Sequence, residues 1–167
     1  MKNRTLLVAA CLAALVVCAP RVSAQQQMLP EFTVVAPDGA QTGTATLQSP
    51  GQWLLVYVFP GAGPSDTLVQ RLGETWTPDR AAKVVFIVAG APDAAKTYLA
   101  GKGGAALAAD ARWFADPQGA AWQALNYQGK LAVTGMAGAR IDWKVDGVIA
   151  DPAVVWPTIE KWLGGGV

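Results

Sequence analysis

The sequence predicts an α/β sandwich with a partly parallel sheet. Three observations carry that reading. Trp53-Leu-Leu-Val-Tyr-Val-Phe59 is an unbroken aliphatic and aromatic run, the pattern of a strand buried on both faces. Lys83-Val-Val-Phe-Ile-Val88 is a second such run, and segments of helical spacing lie between and after the two. Late in the chain, Asp146-Gly147 is a hairpin pair, which adds antiparallel strands.

The elements follow in order. Phe32–Val35 reads as a short strand closed by the turn Pro37-Asp38-Gly39, and Thr42–Leu47 as a second short strand ended by Ser49-Pro50-Gly51. After the strand Trp53–Phe59, Pro60–Pro64 forms a loop. Ser65 is the expected N-cap of a helix from Asp66 to about Gly73, with Leu68, Val69 and Leu72 on one face. Trp76 falls in the loop Thr75–Pro78. Pro92 opens a helix to about Leu99, ended by Gly101 and Gly103-Gly104. Trp113–Ala115 leads into the turn Asp116-Pro117-Gln118-Gly119, and Ala120–Leu125 is helical. Gly138–Trp143 is a third strand, Val148-Ile149 begins a fourth, and Val154–Leu163 is a terminal helix with Val155, Ile159, Trp162 and Leu163 inward.

Residues 1–24 read as a secretory signal peptide. Lys2 and Arg4 precede the apolar run Leu6–Ala19, and Val22-Ser23-Ala24 places small residues before Gln25. A retained membrane anchor is the alternative. A lipoprotein signal fits less well, because Val17 precedes Cys18 and the apolar core before Cys11 is very short. Residues 25–31 form a polar tail expected to be mobile, and 32–167 one domain. Periplasmic or secreted placement follows. Without the leader the chain has 10 basic and 12 acidic residues and no basic run, which argues against nucleic-acid binding. Membrane contact is expected only through an uncleaved leader.

The chain has two cysteines, Cys11 and Cys18, both in the leader, and no histidine. The domain is therefore expected to lack thiol chemistry, Cys/His nucleophilic catalysis, a metal site and a cofactor.

The succession of elements resembles the thioredoxin-like fold, in the branch of secreted thiol-disulfide proteins and peroxiredoxin relatives. Phe32–Gly39 is similar to that family's first strand and turn, and Trp53–Phe59 to its central strand. Val84–Val88 is similar to the next parallel strand, Asp116–Gly119 with Ala120–Tyr127 to its turn-helix segment, and Arg140–Ile149 to its final hairpin. The resemblance implies a three-layer sandwich with a mixed central sheet. It also implies a Cys-x-x-Cys where this chain has Gly63-Pro64-Ser65-Asp66, and a cis-proline where it has Met136-Ala137-Gly138. A cis bond without proline costs about 2.5–4 kcal/mol, so the substrate-facing turn is not expected to be reproduced. In the peroxiredoxin variant Thr67 is the nearest stand-in for the cysteine, and a hydroxyl cannot reduce a peroxide.

Other features carry competing readings. The start of the helix at Gly63–Asp66 offers free N–H groups to an anion, but Asp66 opposes one, and Ser65 lacks a base to make it a nucleophile. Asp110, Asp116, Asp142, Asp146 and Asp151 read as turn formers rather than metal ligands. Trp53, Trp122 and Trp162 read as core. Trp76, Trp143 and Trp156 are the candidates for an exposed interaction patch, set against ordinary packing. The functional expectation is a redox-inactive, thioredoxin-like accessory or protein-binding subunit of an envelope complex. The alternatives are an enzyme with non-thiol chemistry at the old loop, or a small-molecule binder beside Pro60–Pro64.

Overall fold

Strand β3 (Gln52–Val58) organises the molecule. The computed structural model describes residues 27–147 and 150–164, so the leader and the strand expected at Val148-Ile149 lie outside the described residues. From Trp53 onward every residue of β3 is buried. Its alternate side chains enter two separate apolar layers: Leu54, Val56 and Val58 one, Trp53, Leu55 and Tyr57 the other. Because both faces are covered, no polar residue interrupts the run.

Six more strands complete a mixed sheet: β1 (Thr33–Val35), β2 (Gln41–Gly43), β4 (Val84–Ala89), β5 (Arg112–Asp116), β6 (Leu131–Ala137) and β7 (Arg140–Asp146), in the order β2-β1-β5-β4-β3-β6-β7. Strands β3, β4 and β5 are parallel, while β6 is antiparallel to β3, and β1 to β5. Helices α1 (Gly63–Glu74), α3 (Pro92–Asp110) and α5 (Pro152–Leu163) cover one face. Helix α4 (Ala120–Ala124) covers the other, together with Leu29, Phe32 and Leu47. This is the predicted three-layer α/β sandwich.

Several elements depart from the sequence reading. Strand β2 stops at Gly43, and Thr44–Leu47 is a 3-10 turn. The buried Thr44 hydroxyl accepts from Phe32 N–H at 2.8 Å, and Leu47 is fully buried. A short helix α2 (Pro78–Lys83) follows Thr77, whose hydroxyl accepts from Arg80 N–H, so the Thr-Pro pair is a helix start rather than a loop. Helix α3 continues beyond Gly101 and Gly103, bends at Gly104 with φ +81°, and buries Leu107 before ending at Asp110. Trp113–Ala115 belongs to a strand, because β4 offers a free parallel edge there.

The hairpin is also displaced from its predicted position. Its turn is Gly138-Ala139, where Gly138 has φ +57°, and Asp146-Gly147 ends strand β7 instead of turning it. Gly135 allows this pairing: a Cβ there would overlap the Trp143 indole, which lies across β6. Residues 27–29 of the expected mobile tail are tied to this turn. Leu29 N–H donates to Ala139 O and Ile141 N–H to Gln27 O, both at 2.8 Å.

Helices α1 and α3 touch at Gly73, where an added Cβ would overlap the backbone carbonyl of Gly103. Helix propensity alone favours alanine over glycine by about 1 kcal/mol. The overlap reverses the sign, since backbone cannot step aside as a flexible side chain does. Gly73→Ala is expected to lower stability by about 1–3 kcal/mol. A urea titration that found Gly73→Ala as stable as the parent would contradict this contact.

Candidate functional site

The carboxyl ends of the parallel strands β3, β4 and β5 and the start of β6 meet at one end of the sheet. Crevices at such strand ends are where open α/β sheets bind ligands. The loop Phe59–Ala62 leads from β3 into α1, with Ala62 as N-cap and Pro64 in the first turn.

Ser65 is not the cap. It lies inside the first turn, fully buried, where its Oγ accepts from Phe59 N–H at 2.9 Å and donates to the carbonyl of Lys130. One hydroxyl thus ties the end of β3 to the residue before β6. Its proton is committed to a backbone carbonyl and solvent does not reach it, so it offers no nucleophile. Asp66 accepts from Gly61 N–H at 3.3 Å and pairs with Lys102 of α3 at 2.8 Å. The Lys102 hydrogen bond is the main cause holding its carboxyl below the usual range, against a smaller opposing effect of burial. Buried Tyr98 faces the same carboxylate without reaching hydrogen-bond geometry. Gly63 and Pro64 are exposed. The positive end of α1 is therefore already served by the chain's own carboxylate.

The segment Met136-Ala137-Gly138 does not face this loop. Met136 pairs with Trp53 and Ala137 with Gln52, at the start of β3, and the Trp53 indole donates to Gly138 O at 2.8 Å. The antiparallel register brings Gly129-Lys130 to the loop instead, and every peptide bond among the described residues is trans.

Of the two readings of Trp76, Trp143 and Trp156, an exposed patch or ordinary packing, the structure shows packing. Trp156 is buried, with the Arg71 and Arg80 guanidinium groups 4.5 and 5.7 Å from its ring centre. Trp76 packs on Phe86 at 6.2 Å and Trp143 meets Trp162 edge-on at 5.9 Å, both half-buried against the helical core. Among the described residues, no group of three Cys, Asp or Glu side chains is placed to hold a metal ion.

A cleft of about 390 Å³ lies beside the loop, where the sequence reading had kept a small-molecule pocket as an alternative, but the residues that build it were missed. Tyr57, Phe59 and Trp122 form its wall, with ring centres 4.9–5.3 Å apart. Asp116, read from sequence as a turn former, lies beneath it at 2% exposure. Its carboxylate accepts from the Tyr57 hydroxyl at 2.9 Å and from the N–H groups of Ala120, Ala121 and Trp122 at 2.8, 3.0 and 3.3 Å. It fixes the start of α4 and the tilt of Tyr57 at once. Lys130 stands at the rim, its Nζ 5.1 Å from the Phe59 ring centre. Strand alternation offered one signal, since Tyr57 shares a face with Trp53 and Leu55. Nothing local connects it with Asp116.

No protein-family model and no curated protein matches the sequence. Solved structures do match. A protein from Bacteroides thetaiotaomicron proposed to be a disulfide isomerase aligns over 83% of this chain and 89% of its own, with TM-score 0.59 and 16% identity. A secreted Mycobacterium tuberculosis disulfide oxidoreductase homologous to E. coli DsbE aligns over 74% and 91%, with TM-score 0.54 and 18% identity. Reduced Prx3 from Vibrio vulnificus aligns over 82% and 99%, with TM-score 0.56 and 16% identity. The chain has the thioredoxin-like fold. At these identities the likeness is one of backbone.

Two outcomes follow. Ser65→Ala takes the side-chain partner from the half-buried Phe59 N–H and from the Lys130 carbonyl and should cost about 1 kcal/mol, read from the urea midpoint. All three tyrosines of the chain are buried, and burial, the largest cause in each, raises their hydroxyl pKa values, with Asp116 adding to Tyr57 and Asp66 to Tyr98. Above about pH 10 the unfolded chain releases these protons and the folded one keeps them. Their contribution to stability is therefore complete below that pH and declines as pH rises past it. Tyrosinate absorbance should appear only together with the loss of far-ultraviolet ellipticity. Tyrosinate forming in a still-folded sample would refute the burial argument.

Proposed function

We propose that this chain is a redox-inactive, thioredoxin-like binding module of the periplasm or the secreted space, serving as an accessory subunit of an envelope complex. The observation that carries the reading is the loop at Gly63–Asp66. It contains no sulfur, and its one hydroxyl is sealed between Phe59 and Lys130. Thiol-disulfide exchange and peroxide reduction both require a thiolate. Ser65 is also buried away from any substrate, which weighs against an enzyme of non-thiol chemistry built on it.

The basic, apolar and small-residue pattern of the first 24 residues supports export. One structural neighbour is itself described as secreted, and no helix among the described residues is long and apolar enough to cross a membrane. The open cleft at the strand ends favours a binding role at the place where a thioredoxin-like scaffold exposes its loops.

Purified mature protein, residues 25–167, should show no insulin reduction and no peroxide turnover above buffer. Turnover in either assay that persisted after removal of contaminating thiols would overturn the redox-inactive reading.

A further inference from the structure

We infer that the strand-end cleft binds a small planar aromatic carboxylate, with its ring against the Tyr57–Phe59–Trp122 wall and its anionic group at Lys130. The inference deepens the reading of this end of the sheet as a binding face and rests on it. The volume, about 390 Å³, lies in the range of small-molecule sites. Ala89, Gly90 and Gly129 line the opening with almost no side chain, which leaves room for a flat body. Tyr57 is buried behind Phe59 and Trp122, and those two half-buried rings offer edge and face contacts that an aromatic ligand uses and an aliphatic one does not.

The charge pattern selects the polar end. Asp116 is only 2% exposed, and its carboxylate already accepts from the Tyr57 hydroxyl and two backbone N–H groups at Oδ2 and from the Ala120 N–H at Oδ1. A ligand cation or hydrogen-bond donor therefore has almost no carboxylate surface to reach. The Tyr57 proton is likewise committed to Asp116. Lys130 is exposed at the rim and makes no ion pair among the described residues, in contrast to Lys102 and Lys144, which pair with Asp66 and Asp146. A second anion deeper in the cleft would meet the Asp116 carboxylate. The site thus matches one negative charge at the mouth and an uncharged ring inside.

The test is a titration of ¹⁵N-labelled full-length domain with 2-naphthoate, followed by ¹H–¹⁵N correlation spectra. Saturable shifts are expected at the Trp122 indole N–H and at the amides of Gly90, Gly129 and Lys130. The neutral 2-naphthamide and the cationic 2-naphthylmethylammonium should bind more weakly. Lys130→Gln should weaken 2-naphthoate about fivefold, the scale of an exposed charge pair, while Lys161→Gln on α5 should leave it unchanged. The proposal is overturned if 2-naphthoate gives no saturable shifts, if they cluster elsewhere, or if the amide or ammonium binds as tightly. It is also overturned if Lys130→Gln, with an otherwise unperturbed spectrum, binds like the parent, or if only a peptide ending in phenylalanine shifts these resonances. Redox turnover by the same sample would remove the redox-inactive reading and leave the naphthoate result standing. Failure to bind naphthoate in a sample without turnover would remove only the ligand assignment.

Discussion

The rest of the structure depends on the burial of β3 from both sides. A strand covered on one face can alternate apolar and polar residues, but one covered on both cannot. Leu54, Val56 and Val58 anchor the helical layer of α1, α3 and α5, while Trp53, Leu55 and Tyr57 anchor the layer that holds α4 and the N-terminal segment. Strands β4, β5 and β6 also supply side chains to both cores, and β3 lies between β4 and β6. The carboxyl end of β3 is the point where both layers stop and backbone groups must find other partners. Ser65 and Asp116 meet that need, one on each side of the sheet.

These two residues give the candidate site its character. A buried hydroxyl and a buried carboxylate at the ends of parallel strands would suggest catalysis if either were open to a substrate. Ser65 spends its hydroxyl on two backbone groups, and Asp116 receives four donors. Both are fasteners: they set where Phe59, Tyr57 and Trp122 stand, and those rings define the cleft. The polar chemistry of this end is inward, and what it presents outward is shape, aromatic surface and one lysine.

The sequence made the layers legible because the two apolar runs, Trp53–Phe59 and Lys83–Val88, leave no other strand reading, and α1 announces itself through Leu68, Val69 and Leu72. It misplaced elements wherever glycine was ambiguous. Gly101, Gly103 and Gly104 look like a helix stop, yet Gly103 is used for close contact with α1, and only Gly104 bends the helix. Gly135, Gly138 and Gly147 share the same ambiguity: one makes room for Trp143, one turns the hairpin, and one follows its end. That displacement moved Met136–Gly138 from one end of the sheet to the other. The cleft was illegible for a different reason. Tyr57 and Asp116 are 59 residues apart, and their hydrogen bond exists only once β3, β4 and β5 lie side by side.

The pairing of Gln27–Leu29 with the β6–β7 turn fixes where the polypeptide enters the domain. That turn is separated from the cleft by the seven residues of β6, roughly 20 Å at about 3.3 Å per residue. The first described residues therefore sit at the pole of the sheet opposite the aromatic opening, which leaves that opening clear of them.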